Sequence, residues 1–572
     1  MKLILRYISR HKRMFFTALF FLGLETMSDL LQPTLMSYIV DKGVEQRDVG
    51  QILAFGAVML GIAAIGALGA VMRNIYATRT SQRISMEMRR DIYEKVLALS
   101  FENIDRLAPA SIITRITNDV TQIQNFINGT MRIMMKAPIT CVGAIVLIVL
   151  RTPQQIPMIA VILCVSFCLI GANMALGYPR FGRLQRTLDK LNTVAREFLS
   201  SIRVVKAFGG QQQEEEKFGQ AAGDFADAGI SATRISAIFS PLINLTVNMG
   251  IVVLLWISQS RNSGQIGRLM ASVNYMTQVL FSLGMVSAIL NVAVRAVTSA
   301  GRVEEVLREV PVQKNGSGNA EDRGTPAEIR FDHVTFSYAG AAQPALWDVS
   351  FLVKPGETLG IIGPTGCGKS TIVNLVPRFY DAQQGRVLVD GLDVKDWEME
   401  ALRQRIGTAP QKPLLFSGTI ADNLRWGRED ASMEELRQAA EIACADGFVT
   451  DFSDGYDTLL GQNGVNLSGG QKQRLSLTRA LLKQPGILIL DDCTSALDAA
   501  TEAAVLRGLR QCAAEMTVLL ISQRISTVMQ ADRVLCLENG RVQGFGTHQE
   551  LMEQCPAYQA IYRSQIGGAD HG

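Results

Sequence analysis

The sequence predicts two fold classes in one chain: a membrane all-α domain of six transmembrane helices with long cytoplasmic extensions, then a C-terminal α/β P-loop domain. Three observations carry this. Apolar residues make up 48% of the 572-residue chain, high for a soluble protein, and the excess is confined to roughly the first 295 residues. Beyond a polar stretch at 311–327, short β-rich runs alternate with helical segments. Within that second half, a glycine-rich loop stands between a strand and a helix.

Lys and Arg total 56 against 53 Asp and Glu, a net charge of +3. A nucleic-acid partner would call for a clustered basic excess and is excluded. The nine cysteines form no CxxC pair, and only four histidines are present. They read as reduced, small apolar residues rather than a disulfide framework or zinc site. Lys2, Arg6, Arg10, Lys12 and Arg13 precede the apolar run 14–24 and mimic a secretory signal. No small-x-small cleavage site follows, and the apolar pattern continues to Val40. The segment therefore reads as an interfacial helix leading into a first span.

Stretches near 14–40, 52–77, 130–150, 156–178, 237–258 and 268–292 are each long enough to cross about 30 Å of hydrocarbon. Their connections alternate in length. Those near 41–51, 151–155 and 259–267 are short, whereas 79–129 and 179–236 are long and hold most of the Lys and Arg. By the positive-inside tendency, the N-terminus and both long connections face the cytoplasm of a multi-pass plasma-membrane protein. Residues 79–100 and 185–235 interleave charged and apolar residues at helical spacing, so the spans continue as helices beyond the bilayer. Phe101–Asp105 and Gln211–Phe218 fall near the turning points.

The domains are therefore 1–310 in the membrane, 311–327 as a linker rich in Gly and Pro, and 328–572 as the α/β domain. Strands are expected at 328–338, 358–362, 387–390, 487–491 and 517–521. The loop Gly363-Pro364-Thr365-Gly366-Cys367-Gly368-Lys369-Ser370-Thr371 fits G-x-x-x-x-G-K-[ST] in the strand–loop–helix context that makes the motif specific. Its glycines let backbone N–H groups converge on phosphate oxygens at the positive end of a helix. Lys369 would reach the β- and γ-phosphates, and Ser370 would place its hydroxyl on Mg²⁺. Asp491 closes an apolar strand and would hold the same ion. Cys367 is expected to react with thiol reagents when nucleotide is absent.

The phosphate loop, Leu467-Ser468-Gly469-Gly470-Gln471 and Ile487-Leu488-Ile489-Leu490-Asp491-Asp492 together resemble the ATP-binding cassette (ABC) ATPases. Ser111–Val120 and Ser201–Gly209 resemble the two intracellular loops of ABC exporters. The resemblance covers essentially the whole chain and implies a half-transporter with ATP and Mg²⁺ as cofactors. It also implies roles. Tyr338 would stack on adenine, Gln411 would sense the γ-phosphate and join Ser370 and Asp491 around the metal, and Ser495-Ala496-Leu497-Asp498 would form the dimer-crossing loop. Ser468, Gly469, Gly470 and Gln471 would contact the nucleotide held by a partner's phosphate loop.

Two departures matter. The family's catalytic Glu is Asp492 here, one methylene shorter, and its switch His is Gln523, which has no imidazole. Misplacing a catalytic group by about 1 Å costs on the order of a hundredfold. Together, with phosphate loop and signature preserved, they imply a weak ATP site in a heterodimer with a second half-transporter. Gln462 also stands where exporters usually carry Glu.

Glu25 and Asp29 lie i,i+4 on one face of the first span, at a depth where ionisable groups are costly. They read as a patch attracting cationic amphiphiles, as a proton-linked group, or as acids in a solvated vestibule. The expected activity is ATP-driven export of a small amphipathic substrate (drug, lipid or peptide) across the lipid bilayer. An ATP-gated regulatory or channel-like subunit and an exporter-fold importer are the alternatives.

Overall fold

A computed structural model describes residues 1–151, 156–259, 266–318, 325–512 and 515–566. The chain divides into two units, Met1–Leu97 with Ala110–Arg308, and Ala98–Pro109 with Glu309–Gly572.

In the first unit the basic N-terminal segment forms a separate helix, Lys2–Arg10, which buries Leu3, Ile4 and Tyr7. A break at His11 precedes the helix Lys12–Tyr38. Among the described residues, five helices are long and apolar enough to cross a membrane: Lys12–Val44, Val49–Leu97, Pro109–Arg151, Ala160–Phe208 and Gln211–Val253. The sixth expected span, 268–292, lies on the helix Ile266–Arg308. At 1.5 Å per residue a 49-residue helix reaches about 70 Å, more than twice the hydrocarbon thickness. The long connections are thus continuations of the spans. The short connections expected near 151–155 and 259–267 lie largely outside the described residues. The second turning point falls slightly earlier than Gln211–Phe218, which already begins the next helix. Chain reversal occurs at Gly209, whose φ of 68° is open to glycine without a Cβ penalty.

Charged side chains tie these helices together. Asp119, fully buried, accepts hydrogen bonds from Ser299 Oγ at 2.8 Å and Arg302 Nε at 2.7 Å. Arg115 Nη1 donates to the Arg302 carbonyl at 2.9 Å. Higher in the bundle, Glu25 is buried and accepts from Arg73 Nε and Lys136 Nζ, each at 2.6 Å, while Lys136 also pairs with Asp29 at 2.9 Å. Glu25 is not the free cation-attracting or solvated group expected from sequence, whereas Asp29 is paired with its side chain still 42% exposed. Both are neutralised by cations on the second and third spans, because unpaired charge in this position is too costly to keep.

The second unit is built on two sheets. One is four-stranded, in the order Leu346–Val353, Ile329–Phe336, Gln384–Val389, Leu392–Asp393. The other is six-stranded, in the order Arg541–Gly546, Arg533–Glu538, Thr358–Ile362, Thr517–Ile521, Ile487–Asp491, Ile406–Ala409. All neighbours in this second sheet are parallel except the terminal pair Arg533–Glu538 and Arg541–Gly546. Its central strands are continuous β-branched and Leu runs buried on both faces, as a covered parallel sheet requires. Five of these ten strands were not expected. Ile406–Ala409 has only four residues, and Leu346–Val353 breaks strict alternation at a positive-φ Asp348.

The segment 311–318, expected as linker, is docked as a strap. Gly316 N donates to Trp397 O at 3.1 Å, Gly318 N to Asp396 O at 2.8 Å, and Glu398 N returns a bond to Gly318 O. A Cβ at Gly316 would stand 2.2 Å from the Asp396 carbonyl, so glycine is required there. Polar composition signalled irregular backbone; tertiary hydrogen bonds fixed it in place.

Glu25→Ala leaves Arg73 buried without its carboxylate and should cost about 3–5 kcal/mol. Thermal unfolding of the detergent-solubilised protein should show a clear drop in melting temperature, larger than for Lys136→Ala, whose ammonium is a third exposed. An unchanged melting temperature for Glu25→Ala would refute a structural ion pair.

Candidate nucleotide-binding site

Four loops at the carboxyl ends of the parallel strands build the site. The phosphate loop follows Thr358–Ile362 and runs into the helix Lys369–Leu375. Gly363 has φ 156°, and a Cβ there would stand 2.1 Å from the Leu537 carbonyl. Gly368, φ 100°, would clash in the same way with the Ala345 carbonyl at 2.7 Å. These glycines therefore serve close backbone packing as well as the turn. Lys369 Nζ folds over the loop, donating to Gly363 O at 2.7 Å and Pro364 O at 2.9 Å. These two bonds run from the ammonium to neutral carbonyls, and incoming phosphate oxygens would replace them with full ion pairs.

Ser370 Oγ donates to Asp491 Oδ1 at 3.1 Å, so two of the three groups expected around the metal are already adjacent, while Gln411 is bonded to Asp492. Burial pushes the Asp491 carboxyl above its ordinary pKa, with the Asp492 charge adding to the shift and Ser370 and Lys369 opposing it. A buried carboxylate beside a second acid is a site that gains from a cation. The residues present fit a hard divalent ion such as Mg²⁺, which would neutralise phosphate charge there.

Asp492 has φ 48°, a left-handed conformation that Asp tolerates better than most residues. Only 6% exposed, its Oδ2 accepts from Gln411 Nε2 at 3.3 Å and from Gln523 Nε2 at 3.2 Å. Three strands converge on this atom, because Gln411 follows Ile406–Ala409, Asp492 follows Ile487–Asp491 and Gln523 follows Thr517–Ile521. Both carboxamides are spent on the short carboxylate. Across the cavity, Tyr338 Oη lies 3.3 Å from Thr371 Oγ1, and its ring meets Tyr380 edge-on at 5.2 Å. Tyr380 donates to Asp105 at 2.6 Å from the tip helix Phe101–Leu107, which belongs to the same unit. Asn103, fully buried, donates to Glu309 Oε1 at 2.7 Å and to Val310 O at 3.0 Å.

Tyr338, Thr365, Gly366, Gly368, Lys369, Ser370, Thr371, Gln411, Asp491, Asp492 and Gln523 line one cavity of about 430 Å³. Gly363, Pro364 and Cys367 form the floor of the loop behind it. Cys367 is 3% exposed, and burial raises its thiol pKa against the opposing effect of Lys369, so the expected reactivity is corrected. Ser468, Gly469, Gly470, Gln471 and Asp498 lie outside the cavity. Ser468 and Gln471 form a capping box at the start of the helix Gly469–Leu482. A Cβ on Gly470 would stand 3.0 Å from Ala496 O. Asp498 accepts from Thr501 N at 2.9 Å and Oγ1 at 2.7 Å, opening the helix Ala499–Cys512.

Sequence reasoning missed several participants. Arg73 and Lys136 stood inside expected spans, and an intramembrane cation is itself a signal. Gln473, one turn into the signature helix, donates to Ser495 Oγ and accepts from Ala496 N, joining signature to crossing loop. Glu502, buried, is bonded by Thr494, Thr527 and Arg524, and no local pattern marks it.

A P-loop nucleotide-binding domain fused to a bundle of long membrane helices defines an ATP-driven membrane transporter. Comparison with known proteins agrees. The ABC transporter transmembrane region family matches residues 15–283, and the ABC transporter family matches residues 346–495. The chain is 38% identical over 553 residues to the uncharacterized ABC transporter ATP-binding protein YfiB of Bacillus subtilis (strain 168), covering 96% of each. It is 31% identical to the ATP-dependent lipid A-core flippase of Hahella chejuensis (strain KCTC 2396), over 90% of this chain and 88% of that one. The structure of a bacterial Atm1-family ABC exporter with ATP bound superposes with a TM-score of 0.77 at 26% identity, covering 97% of this chain and 99% of the other. The chain belongs to the ABC transporter family, as an exporter-type half-transporter that uses ATP with Mg²⁺ and couples hydrolysis to transport.

Protons and Mg²⁺ compete for Asp491. Mg²⁺-dependent nucleotide binding should weaken as pH falls through a value above the ordinary carboxylate range of about 4. Asp492→Asn should move that loss to lower pH by removing the adjacent charge; identical profiles would refute the coupling. Cys367 should react with maleimide far more slowly in the native protein than after unfolding, read by mass spectrometry.

Proposed function

We propose that this chain is one subunit of a heterodimeric ABC exporter of amphipathic substrates. It contributes a weak ATP site and lends an intact signature to the site of a second half-transporter. The observation that carries the reading is the double hold of Gln411 and Gln523 on Asp492. Asp is short by one methylene, and a catalytic group displaced by about 1 Å loses on the order of a hundredfold. Gln523 meanwhile presents its amide to Asp492 and offers no protonatable ring. The phosphate loop, Ser370 and Asp491 keep what nucleotide and Mg²⁺ binding need.

The signature side supports the same division. Ser468 to Gln471 are held by a capping box and by the crossing loop, with no residue of that segment in this chain's own cavity. The Ser468 hydroxyl and the Gly469 N–H are then donors to the partner's nucleotide, where preorganised groups stabilise developing charge. Nucleotide-driven movement reaches the membrane helices through the tip helix Phe101–Leu107, which shares Asp105–Tyr380 with the adenine side of the pocket.

Steady-state ATPase activity tests the assignment, one change at a time in the complex with the copurifying partner. Gly469→Asp should abolish most turnover, whereas Asp492→Glu should raise it only modestly. The chain alone should bind Mg·ATP yet hydrolyse it slowly, and Lys369→Ala should weaken that binding. Robust turnover by a verified homodimer, or loss of turnover from Asp492→Asn with Gly469→Asp tolerated, would reverse the roles.

A further inference from the structure

A second cavity, of about 290 Å³, lies within the membrane unit between the first, third and last of its long helices. Asp29, Lys136, Thr140 and Gln278 supply its polar wall, and Phe281 and Met285, both exposed, its apolar one. The four charges at and behind it, Glu25, Asp29, Arg73 and Lys136, sum to zero and are mutually paired. The cavity therefore has no net charge with which to select an ion.

Its hydrogen-bonding capacity is not balanced. Thr140 is 9% exposed, and its Oγ1 is buried with no partner. Gln278 Oε1 is likewise buried and unpartnered, its amide nitrogen making only a 3.5 Å contact to the Asp29 carbonyl. Asp29 engages Lys136 through Oδ2 alone. An unmet buried polar atom is destabilising, and a donor entering the cavity would offset that once either side chain turns toward it. Thr140 Oγ1 and Gln278 Oε1 thus stand as unmet acceptors beside the Gln32 amide, and apolar side chains continue from them.

We propose that this cavity receives an uncharged amphiphile with a hydroxyl-rich head group of about one sugar ring and an alkyl or acyl tail. The volume sits at the small end of ligand sites, about 300–1,000 Å³, and suits the head rather than the whole molecule. The hydroxyls donate to Thr140, Gln278 and Asp29, while Phe281 and Met285 meet the start of the tail. This inference rests on the transporter of amphipathic substrates argued above, and replaces the cationic preference that two acids alone suggest.

The test uses the full complex in proteoliposomes with three fluorescent probes: a monoglucosyl diacylglycerol, phosphatidylglycerol and a cationic rhodamine. Mg·ATP should move the glucolipid across the bilayer. Thr140→Val with Gln278→Leu should cut that movement about fivefold or more. Movement of phosphatidylglycerol or rhodamine but not of the glucolipid overturns the inference and leaves the exporter reading standing. So does glucolipid movement indifferent to the two substitutions. If no probe moves although ATP is hydrolysed, the exporter reading itself fails. A diazirine-bearing alkyl glucoside on the unchanged protein gives an independent readout. Adducts are expected within 136–140 or 278–285, and adducts confined to other segments overturn the site.

Discussion

One carboxylate oxygen organises the catalytic end of this molecule. Asp492 Oδ2 receives both Gln411 and Gln523, so the ends of three parallel strands meet at a single acceptor. The meeting is possible only because the strands are in register, Ile406–Ala409 beside Ile487–Asp491 beside Thr517–Ile521. A further backbone bond, Asp492 N to Ile521 O at 3.0 Å, fixes the turn that gives Asp492 its positive φ. Two bonds to one oxygen orient the acid among these strand ends.

The same unit extends this order toward the chain's first turning point. Phe101 packs on Phe379 with ring centroids 4.7 Å apart, Tyr380 bonds Asp105, and Asn103 is locked by Glu309 and Val310. The short helix Phe101–Leu107 is therefore part of the nucleotide-binding unit, although two long membrane helices flank it in sequence. Tyr338, on the wall of the phosphate-loop cavity, meets Tyr380 edge-on next to that contact. Burial and the Asp105 carboxylate together push the Tyr380 hydroxyl well above the usual tyrosine pKa, keeping it a donor throughout the physiological range.

In the membrane unit, charge is placed where it can be cancelled. Arg73 and Lys136 satisfy Glu25 and Asp29 from two other helices, and Arg302 satisfies the fully buried Asp119. Such pairs add little net stability over apolar packing, but breaking one leaves a buried charge and is severe. They specify which helix lies beside which, something apolar surfaces alone do weakly in lipid.

Much of this was legible in the amino-acid sequence for a physical reason: the signals were local. Span length follows from hydrocarbon thickness, buried parallel strands read as unbroken apolar runs, and the phosphate loop needs glycines at fixed offsets because backbone must approach backbone. Asp492 and Gln523 could be singled out for the same reason, each standing at a set distance from a recognisable motif. Tertiary structure decided what depends on distant partners. It turned Glu25 and Asp29 from an open acidic patch into half of a neutral cluster, since Arg73 lies 48 residues and Lys136 111 residues from Glu25. It buried Cys367, docked part of the expected linker against Trp397, and made Glu502 a buried acceptor for Arg524, Thr494 and Thr527. Local pattern states what a residue can do; only the fold supplies the partner that decides whether it is free to do it.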